Sequence, residues 1–599
     1  MPVMNHLVYP WSKRGLLIRL ASVLLVILLT LGLSGCSAAQ SSDRPSRLVI
    51  PTPSGPSTFN YPLNQSAYSV FGYIYSPLIE EHPVTGELQP GLAESWEIAP
   101  NGQKIIITLR SGLKWSDGEP MTVDDVIFTY NEIYLSDKIP SSFKDILRVG
   151  RDRTLPTVEK LDDRRIEFSV PEPFAPFLRY AGGLPILPAH VLADSVRTFD
   201  SQGNLRFLST WGTNTDPQEI VGNGMYRIRS YNSNQRVILE RNPYYWREDP
   251  QGNPQPYIDQ IVWQIIESSD TQLLNFRSGS LDTLDVQPEA FPLLKPEETR
   301  GQYTIYSPGP DTGTVFMSFN LNQGKNPDGR PFVEPHKSLW FNNLAFRQAV
   351  YYSINREVMK NNIFLGLGEL QHSPIPVQSP FYLSPEQGLR TYNYNPEKAR
   401  KLLLEAGFSY NENGNLIDAE GNQVRFTLLA SAGRKVREQM ATQIAQDLSR
   451  IGIRVDPLFL SFNTYVNRLS KTRDWEAFLG GFTGGVLEPH GGYNIWSVNG
   501  RLHTFNQGQQ PGEPEIEGWV VSDWEQKIDD LYVQASQELD NDKRRELYGE
   551  AQKIIAENLP FLYMVNPLVF DAIRDRIEGI DYTPIGRGFW NLYELKIRE

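Results

Sequence analysis

A chain of 599 residues is longer than one hydrophobic core usually serves, so its length predicts two or three lobes. Apolar residues make up 40% and charged residues 21% of the chain, which excludes the disordered and membrane-embedded classes. The formal net charge is −13 and the sequence holds no basic run interleaved with aromatic residues, so we predict no nucleic-acid partner.

The first 35 residues have the pattern of an export signal. Three basic residues precede an apolar run at 20–33, which is too short for a comfortable membrane span and has the length of a signal-peptide core. The run ends in Leu-Ser-Gly-Cys36, which resembles a lipobox, so we predict a lipid on Cys36. Residues 36–46 are small and polar and predict a flexible tether.

Cys36 is the only cysteine of the chain, which excludes a disulfide within it. Removal of residues 1–35 takes away three positive charges, so 54 basic against 70 acidic residues leave a charge of −16. Such a surface is compatible with a cationic or neutral ligand.

The folded part begins near Arg47, where RLVIP predicts a short strand. Residues 75–130 then combine the turn segments PVTGE and PNGQ with the β-branched run KIIITLR. A capping-box pattern follows at Thr122–Asp125. The order is therefore strand, turn, strand, turn, helix.

The middle of the chain continues with strands. RIEFSV at 165–170 predicts one, and the alternating runs 225–230 and 236–240, joined by Tyr-Asn-Ser-Asn, predict a hairpin. YIDQIVWQII predicts another strand before a helix at 270–278.

The second half favours helices alternating with strands. Asn343–Asn355 places Phe346, Val350 and Ile354 on one helical face, and Asn395-Pro396 begins a helix that Gly407 ends. VRFTLLAS, a helix to Ile451 and IRVDPLFLS form a β-α-β pattern, which predicts parallel strands. Further amphipathic helices are predicted, with faces Trp524, Ile528, Leu531, Ala535 and Leu547, Ala551, Ile554, Ile555.

Several motifs in this order resemble one known family. GLAESW, TLRSGLKWSDGEPMTVDDV and VILERNPYYW closely resemble the family 5 solute-binding proteins of ABC importers, the dipeptide-, oligopeptide- and nickel-binding group. The resemblance implies an α/β, periplasmic-binding-protein-like fold (type II, cluster C), with two large lobes, a hinge and an inserted lobe. It places lobe I at 46–80, 215–305 and 560–599, lobe II at 81–214 and lobe III at 306–559.

The same resemblance implies a solute-binding receptor. Its ligand would lie between lobes I and III, and closure of the hinge would create the shape that a membrane permease recognises. We expect an oligopeptide or peptide-like solute, an exported protein on the periplasmic or cell-surface side, and attachment to the membrane through the lipid. A sensor or chaperone of exported peptides without transport is an alternative.

The sequence lacks the common catalytic motifs, so we predict that the protein is not an enzyme. The sequence holds no Gly-rich phosphate loop, no Gly-x-Ser-x-Gly elbow and no His-Glu-x-x-His helix, and we predict no cofactor. A glycosidase pair from distant loops stays open, so a hydrolase is a further alternative. Only Glu488, His490 and His503 come close enough in sequence to suggest a metal site, which keeps a nickel chelate open as ligand.

The stretch 480–496, GGFTGGVLEPHGGYNIW, is the predicted ligand loop. Glycines allow the backbone to approach a ligand closely, and aromatic side chains can wall a pocket. The loop before Asn60 resembles the segment that brings the first strand to the cleft. The predicted ligand-binding residues are Phe59, Asn60, Phe482, Thr483, Gly484, Gly485, Glu488, Tyr493 and Trp496.

One departure from the family pattern concerns specificity. Peptide-binding relatives carry G-W-T-G-D followed by D-P here, and the first Asp pairs with the peptide amino terminus. Gly485 takes its place in this chain. Either Glu488 supplies the missing charge, or the ligand has no free amino terminus, because an unpaired buried ammonium costs several kcal/mol.

Overall fold

The computed structural model describes residues 45–63, 68–83, 85–141, 143–483, 486–510, 512–583 and 585–598. The predicted export signal, Cys36 and most of the tether lie outside these residues. From Arg47 onward the chain belongs to a single unit. Among the described residues, no helix has both the length and the apolar character needed to cross a membrane.

The longer strands follow β-branched and aromatic runs, and short pairing segments complete the set of strands. They are β1 (Arg47–Thr52), β2 (Ile79–Glu81), β3 (Leu88–Pro90), β4 (Ala93–Ile98), β5 (Lys104–Leu109), β6 (Thr157–Lys160), β7 (Arg165–Ser169), β8 (Tyr226–Asn232), β9 (Arg236–Arg241), β10 (Gln260–Ile265), β11 (Thr283–Asp285), β12 (Tyr303–Pro310), β13 (Phe316–Phe319), β14 (Gly368–Leu370), β15 (Ser409–Tyr410), β16 (Leu416–Ile417), β17 (Arg425–Ser431), β18 (Arg454–Leu460), β19 (Ala477–Gly480), β20 (Leu562–Tyr563), β21 (Val565–Arg574), β22 (Ile577–Glu578) and β23 (Lys596–Ile597).

The helices are longest in the second half of the chain. They are α1 (Tyr68–Ile74), α2 (Val123–Phe128), α3 (Phe143–Ile146), α4 (Phe177–Gly183), α5 (Ala189–Leu192), α6 (Ser269–Arg277), α7 (Phe291–Leu294), α8 (Glu298–Gly301), α9 (Pro335–Asn342), α10 (Leu344–Ser353), α11 (Arg356–Ile363), α12 (Pro396–Glu405), α13 (Lys435–Ser449), α14 (Phe462–Asn467), α15 (Tyr493–Trp496), α16 (Asp523–Gln537) and α17 (Asn541–Asn558).

Of the four larger sheets in the described residues, two are mixed and two are antiparallel throughout. One has the order β1-β10-β9-β8, a second β4-β5-β7-β6, and a third β11-β21-β12, with β14 also paired to β21. The five-stranded sheet has the order β18-β17-β19-β13-β20, in which β17 is parallel to both β18 and β19. This confirms the predicted β-α-β unit.

Within the described ranges, buried apolar side chains form three clusters. The largest runs from Phe316 to Val565. A second takes residues from 48–263 and again from 573–595, and a third lies between residues 266 and 305 with Phe570 and Ala572. The chain therefore contributes first to the second and third clusters, then to the largest cluster, and near its end to the third and second clusters again. Because the second cluster is continuous across the limits proposed between lobes I and II, those limits stay a prediction.

Helix ends follow the local sequence closely. The Thr122 N–H donates to Asp125 Oδ2 at 2.8 Å and the Thr122 Oγ1 accepts from the Asp124 N–H at 3.2 Å, which confirms the capping box. The Asn395 side chain accepts from the Lys398 N–H at 2.9 Å at the start of α12. Gly407, with φ +91°, follows its end as predicted.

Two details differ from prediction. The β8–β9 turn begins two residues later than predicted, because Tyr231 still pairs with Val237 and only Asn234 takes a positive φ. The buried face of α17 is rotated and includes Arg544 and Tyr548, while Leu547 is only half-buried. Arg544 lies on the buried face because its guanidinium pairs with the buried Glu488 carboxylate.

Candidate functional site

The carboxyl edge of the five-stranded sheet positions the candidate site. Because β17, β18 and β19 are parallel, their carboxyl ends lie at one edge. The connection through α13 places β18 on one side of β17, and the connection through α14 places β19 on the other side. Open sheets of this topology leave a crevice outside the strand ends at such a reversal. Residues 432–437 and 481–483 therefore border the crevice.

Hydrogen bonds fix these two segments. The Arg437 Nη1 donates to the Gly480 carbonyl at 2.9 Å. The Thr314 N–H donates to the Phe482 carbonyl at 2.8 Å, and the Phe482 N–H donates to Thr314 Oγ1 at 3.1 Å. A Cβ at Gly481 would lie 2.1 Å from the Thr314 carbonyl oxygen, so only glycine permits this approach.

A small cavity of about 110 Å³ lies beside these contacts. Three predicted ligand-binding residues, Phe482, Thr483 and Trp496, line it together with Thr314 and Tyr563. Its wall is mainly apolar, with five aromatic side chains, and contains no charged side chain among the described lining residues. This cavity suits an apolar side chain of a larger ligand.

The other predicted residues of the ligand loop have different positions. Tyr493 is buried, and its hydroxyl donates to Asp529 Oδ1 at 2.7 Å. Gly484 and Gly485 lie outside the described residues. Ligand contact by any of these residues stays a prediction.

Glu488 is 3% exposed and fully engaged within the protein. The Arg544 Nη2 donates to both carboxylate oxygens of Glu488 at 2.7 Å. The Glu488 Oε1 also accepts from the His490 N–H at 3.1 Å. This charge is therefore compensated by Arg544. Glu488 lines neither this small cavity nor a larger cavity of about 560 Å³ at the same sheet edge.

Phe59 and Asn60 are buried against residues 207–211. The Phe59 N–H donates to the Trp211 carbonyl at 2.7 Å, and the Asn60 Nδ2 donates to the Phe207 carbonyl at 2.9 Å. Neither residue lines a described cavity. Their hydrogen bonds hold the loop after β1 against residues 207–211. Their contact with a ligand stays a prediction.

A larger cavity of about 560 Å³ opens at the same sheet edge. Segment 433–437 borders it on one side, and the ends of β1, β11 and β21 border it on the other. Its charged lining residues are Glu267, Asp285, Glu289, Asp311, Arg434, Lys435, Arg437, Asp571 and Arg587. Both cationic and anionic groups thus line one cavity.

The carboxylates of this cavity lie close together. Asp285 stands directly opposite Asp571 in the β11–β21 pair. Arg587 reaches Asp311 at 3.7 Å and Asp571 at 3.6 Å, and the Tyr582 hydroxyl donates to Asp571. The Asp285 side chain is open to the cavity, although protein atoms surround it on its other sides. The resulting desolvation, reinforced by the Asp571 charge, raises the pKa of Asp285 to about 6. The sequence does not reveal this site, because no local motif joins residues 286 positions apart.

The predicted histidine group does not assemble. The His503 Nε2 lies 3.0 Å from Glu525, whereas His490 stacks on Tyr493. Burial lowers the pKa of His490 to about 3. In the part of the chain that the structure describes, no three His, Cys, Asp or Glu side chains are placed to hold a metal ion.

Comparison with known proteins decides the family. The sequence-family model for bacterial extracellular solute-binding proteins, family 5 Middle, matches residues 87–502, which are more than two thirds of the chain. The chain belongs to this family. The family 5 protein is thus a bacterial extracellular solute-binding protein, as its motifs predicted.

Individual relatives agree with that assignment. A probable ABC transporter-binding protein of Deinococcus radiodurans is 28% identical over 541 residues, which cover 87% of this chain and 85% of the relative. The oligopeptide-binding protein AppA of Bacillus subtilis, solved with a nonapeptide, has a TM-score of 0.75 at 21% identity and covers 93% of this chain and 100% of its own. MelB of Agrobacterium fabrum, solved with stachyose, has a TM-score of 0.78 at 19% identity, and the match covers 92% of this chain and 85% of MelB. The family 5 protein therefore has the two-lobe α/β fold of periplasmic binding proteins.

Proposed function

We propose that this family 5 protein is the receptor of an ABC importer and captures an oligopeptide or peptide-like solute at the carboxyl edge of its five-stranded sheet. It delivers the solute unmodified to a membrane permease. The cavity of about 560 Å³ carries this proposal, because its size falls within the range of ligand sites, about 300–1,000 Å³.

The lining of that cavity supports a zwitterionic ligand such as a peptide. Segment 433–437 contributes Arg434 and Lys435 at the start of α13, where backbone N–H groups and the helix dipole also favour an anion. The opposite wall contributes Asp285 and Asp571. A carboxylate and an ammonium at the two ends of one solute would each meet an opposite charge.

The two walls belong to different apolar clusters. Met440 packs in the largest cluster, whereas Leu284 packs in the third and Trp263 in the second. A solute that contacts both walls stabilises their approach, because those contacts exist only in the closed arrangement. The closed arrangement is the form that we propose the permease recognises.

Native mass spectrometry of the freshly purified protein tests this proposal. We expect one solute per chain, lost after unfolding and regained when the extracted solute is returned. Return of the solute should raise the melting temperature, because it binds only the folded chain. A bare chain that gains no mass and no thermal stability from a peptide library would contradict the proposal.

We further propose that a lipid on Cys36 anchors the exported chain to the membrane, after removal of residues 1–35. Cys36→Ser in the full-length chain should move most of the protein from the membrane fraction to the soluble exported fraction. Ser37→Ala is the matched control and should leave it membrane-bound. Equal membrane retention of Cys36→Ser and the control would exclude the anchor.

A further inference from the structure

The small cavity of about 110 Å³ contains two tyrosine side chains whose hydroxyls the fold does not use. Tyr532 on α16 and Tyr563 at the end of β20 both line this cavity, and they are only 2% and 3% exposed. In the part of the chain that the structure describes, neither phenol oxygen makes a hydrogen bond, whereas the buried Tyr493 hydroxyl donates to Asp529 Oδ1 at 2.7 Å. Buried tyrosine hydroxyls usually find a partner.

Both hydroxyls are accessible from the cavity. The protein seals some unpaired polar atoms of the described residues from solvent, as it does the Tyr75 hydroxyl. The phenol oxygens of Tyr532 and Tyr563 are not among these sealed atoms. Because so little of either side chain is exposed and both line the cavity, the accessible oxygens face the cavity. A molecule that fills the cavity therefore meets two hydrogen-bonding groups.

Neighbouring aromatic rings hold the two phenols in place. The Tyr532 ring is stacked on Trp496 with the centroids 6.3 Å apart, and it meets Tyr548 edge-on at 5.1 Å. The Tyr563 ring meets Phe316 edge-on at 6.1 Å. Since a phenol oxygen lies on the axis of its ring, it changes direction only if the packed ring moves. The two hydroxyls are therefore preorganised toward the cavity.

The lining favours an uncharged occupant. No described lining residue carries a charge, so an ionised group would lose its water without gaining a counter-charge. The nearby Glu488 carboxylate is already paired with Arg544. Burial, reinforced by the Glu488 charge, raises the pKa of the Tyr532 hydroxyl, and burial also raises the pKa of Tyr563. Both phenols therefore stay protonated, and each can donate and accept a hydrogen bond.

The small cavity adjoins the large cavity of the proposed solute site. Segment 311–315 borders both of them. Asp311 and Val315 line the large cavity, whereas Thr312 and Thr314 line the small one. A solute that occupies the large cavity can therefore place one of its side chains in the small cavity.

We propose that the Tyr532 and Tyr563 hydroxyls bind an uncharged side chain of the solute that ends in an oxygen, and select it over a hydrocarbon side chain of similar shape. A tyrosine side chain fits best, because its flat ring suits the aromatic wall and its hydroxyl both donates and accepts. Phenylalanine would displace water from both hydroxyls without replacing its hydrogen bonds. This inference rests on the proposed function, because it assumes a peptide-like solute in the large cavity.

Paired peptides test this selectivity. The protein, freed of solute by unfolding and refolding, is equilibrated with a library of peptides of three to six residues. Each tyrosine peptide has a phenylalanine counterpart, and each glutamine peptide has a glutamate counterpart. Mass spectrometry measures the retained members of each pair. At one position of the peptide, we expect tyrosine to exceed phenylalanine by about tenfold or more and glutamine to exceed glutamate.

Isosteric variants assign the preference to the two hydroxyls. Tyr532→Phe and Tyr563→Phe each remove an oxygen that bonds to no described residue, so both variants should fold with an unchanged or higher melting temperature. Each should lower the ratio of tyrosine to phenylalanine peptides several-fold, mainly through stronger retention of phenylalanine, and the double variant should bring the ratio close to one. Tyr75→Phe is the matched control, because it removes an unpaired hydroxyl that is sealed from solvent, and it should keep the wild-type ratio.

The outcomes separate the two proposals. If the wild-type protein retains phenylalanine peptides as well as tyrosine peptides, or if the double variant keeps the wild-type ratio, the side-chain site is overturned and the receptor function stands. Retention of no peptide at all would contradict the receptor function and this inference with it.

Discussion

Replacing Arg544 by methionine is expected to lower the free energy of unfolding by about 3–5 kcal/mol. Both members of its ion pair are nearly inaccessible, with Glu488 3% and Arg544 4% exposed. Removal of the guanidinium leaves the Glu488 carboxylate buried without its two hydrogen bonds at 2.7 Å. Urea denaturation, followed by circular dichroism, measures the change.

The neighbouring residue provides a matched control. Arg545 lies on the same helix, is half-exposed and pairs with Asp542, so Arg545→Met should change the free energy of unfolding by less than about 1 kcal/mol. Glu488→Gln combined with Arg544→Met should recover part of the loss, because no buried charge remains. Equal effects of the two single arginine replacements would contradict this account.

The same pair separates stability from ligand contact. Because Arg544 already satisfies Glu488, Glu488→Gln should leave the affinity for captured peptides unchanged once the variant is folded. A loss of affinity confined to peptides with free amino termini would instead support Glu488 as their partner.

Replacing Gly481 by alanine should weaken solute binding by at least about tenfold and lower the free energy of unfolding by about 1–3 kcal/mol. The added Cβ would lie 2.1 Å from the Thr314 carbonyl oxygen, which is backbone and cannot rotate away. The two hydrogen bonds between Thr314 and Phe482 would be displaced together with the small cavity. Isothermal titration with a captured peptide measures the loss.

Gly549→Ala is the control for this substitution. Gly549 lies within α17, and a Cβ there would meet only Leu383 Cδ1 at 3.9 Å. Because alanine favours helix over glycine, this variant should gain up to about 1 kcal/mol and bind normally. Normal binding by Gly481→Ala would show that the approach of the two segments is unimportant for the site.

Local chemistry explains which parts of the fold were predictable. Thr122 and Asn395 cap helices because their side chains accept from backbone N–H groups two or three residues away. The parallel pair β17–β18 followed from a strand-helix-strand pattern within 36 residues of chain, 425–460. In each case the partners are close enough in sequence to be recognised together.

The charged parts of the site depend on distant pairing and could not be predicted in this way. Asp285 and Asp571 meet because β11 and β21 pair although 286 positions separate the two residues. Arg544 stands in the run Asp-Lys-Arg-Arg-Glu, which has the composition of a solvated helix face. Only the tertiary fold distinguishes the buried Arg544 from the exposed Arg545.

The central claim is that the protein binds a solute and releases it chemically unchanged. The most direct test incubates the protein with an equimolar amount of its captured solute for many hours, unfolds the complex and weighs what is released. The receptor account predicts one solute per chain with its original mass. Recovery of smaller products, formed only in the presence of the folded protein, would contradict it and identify a hydrolase.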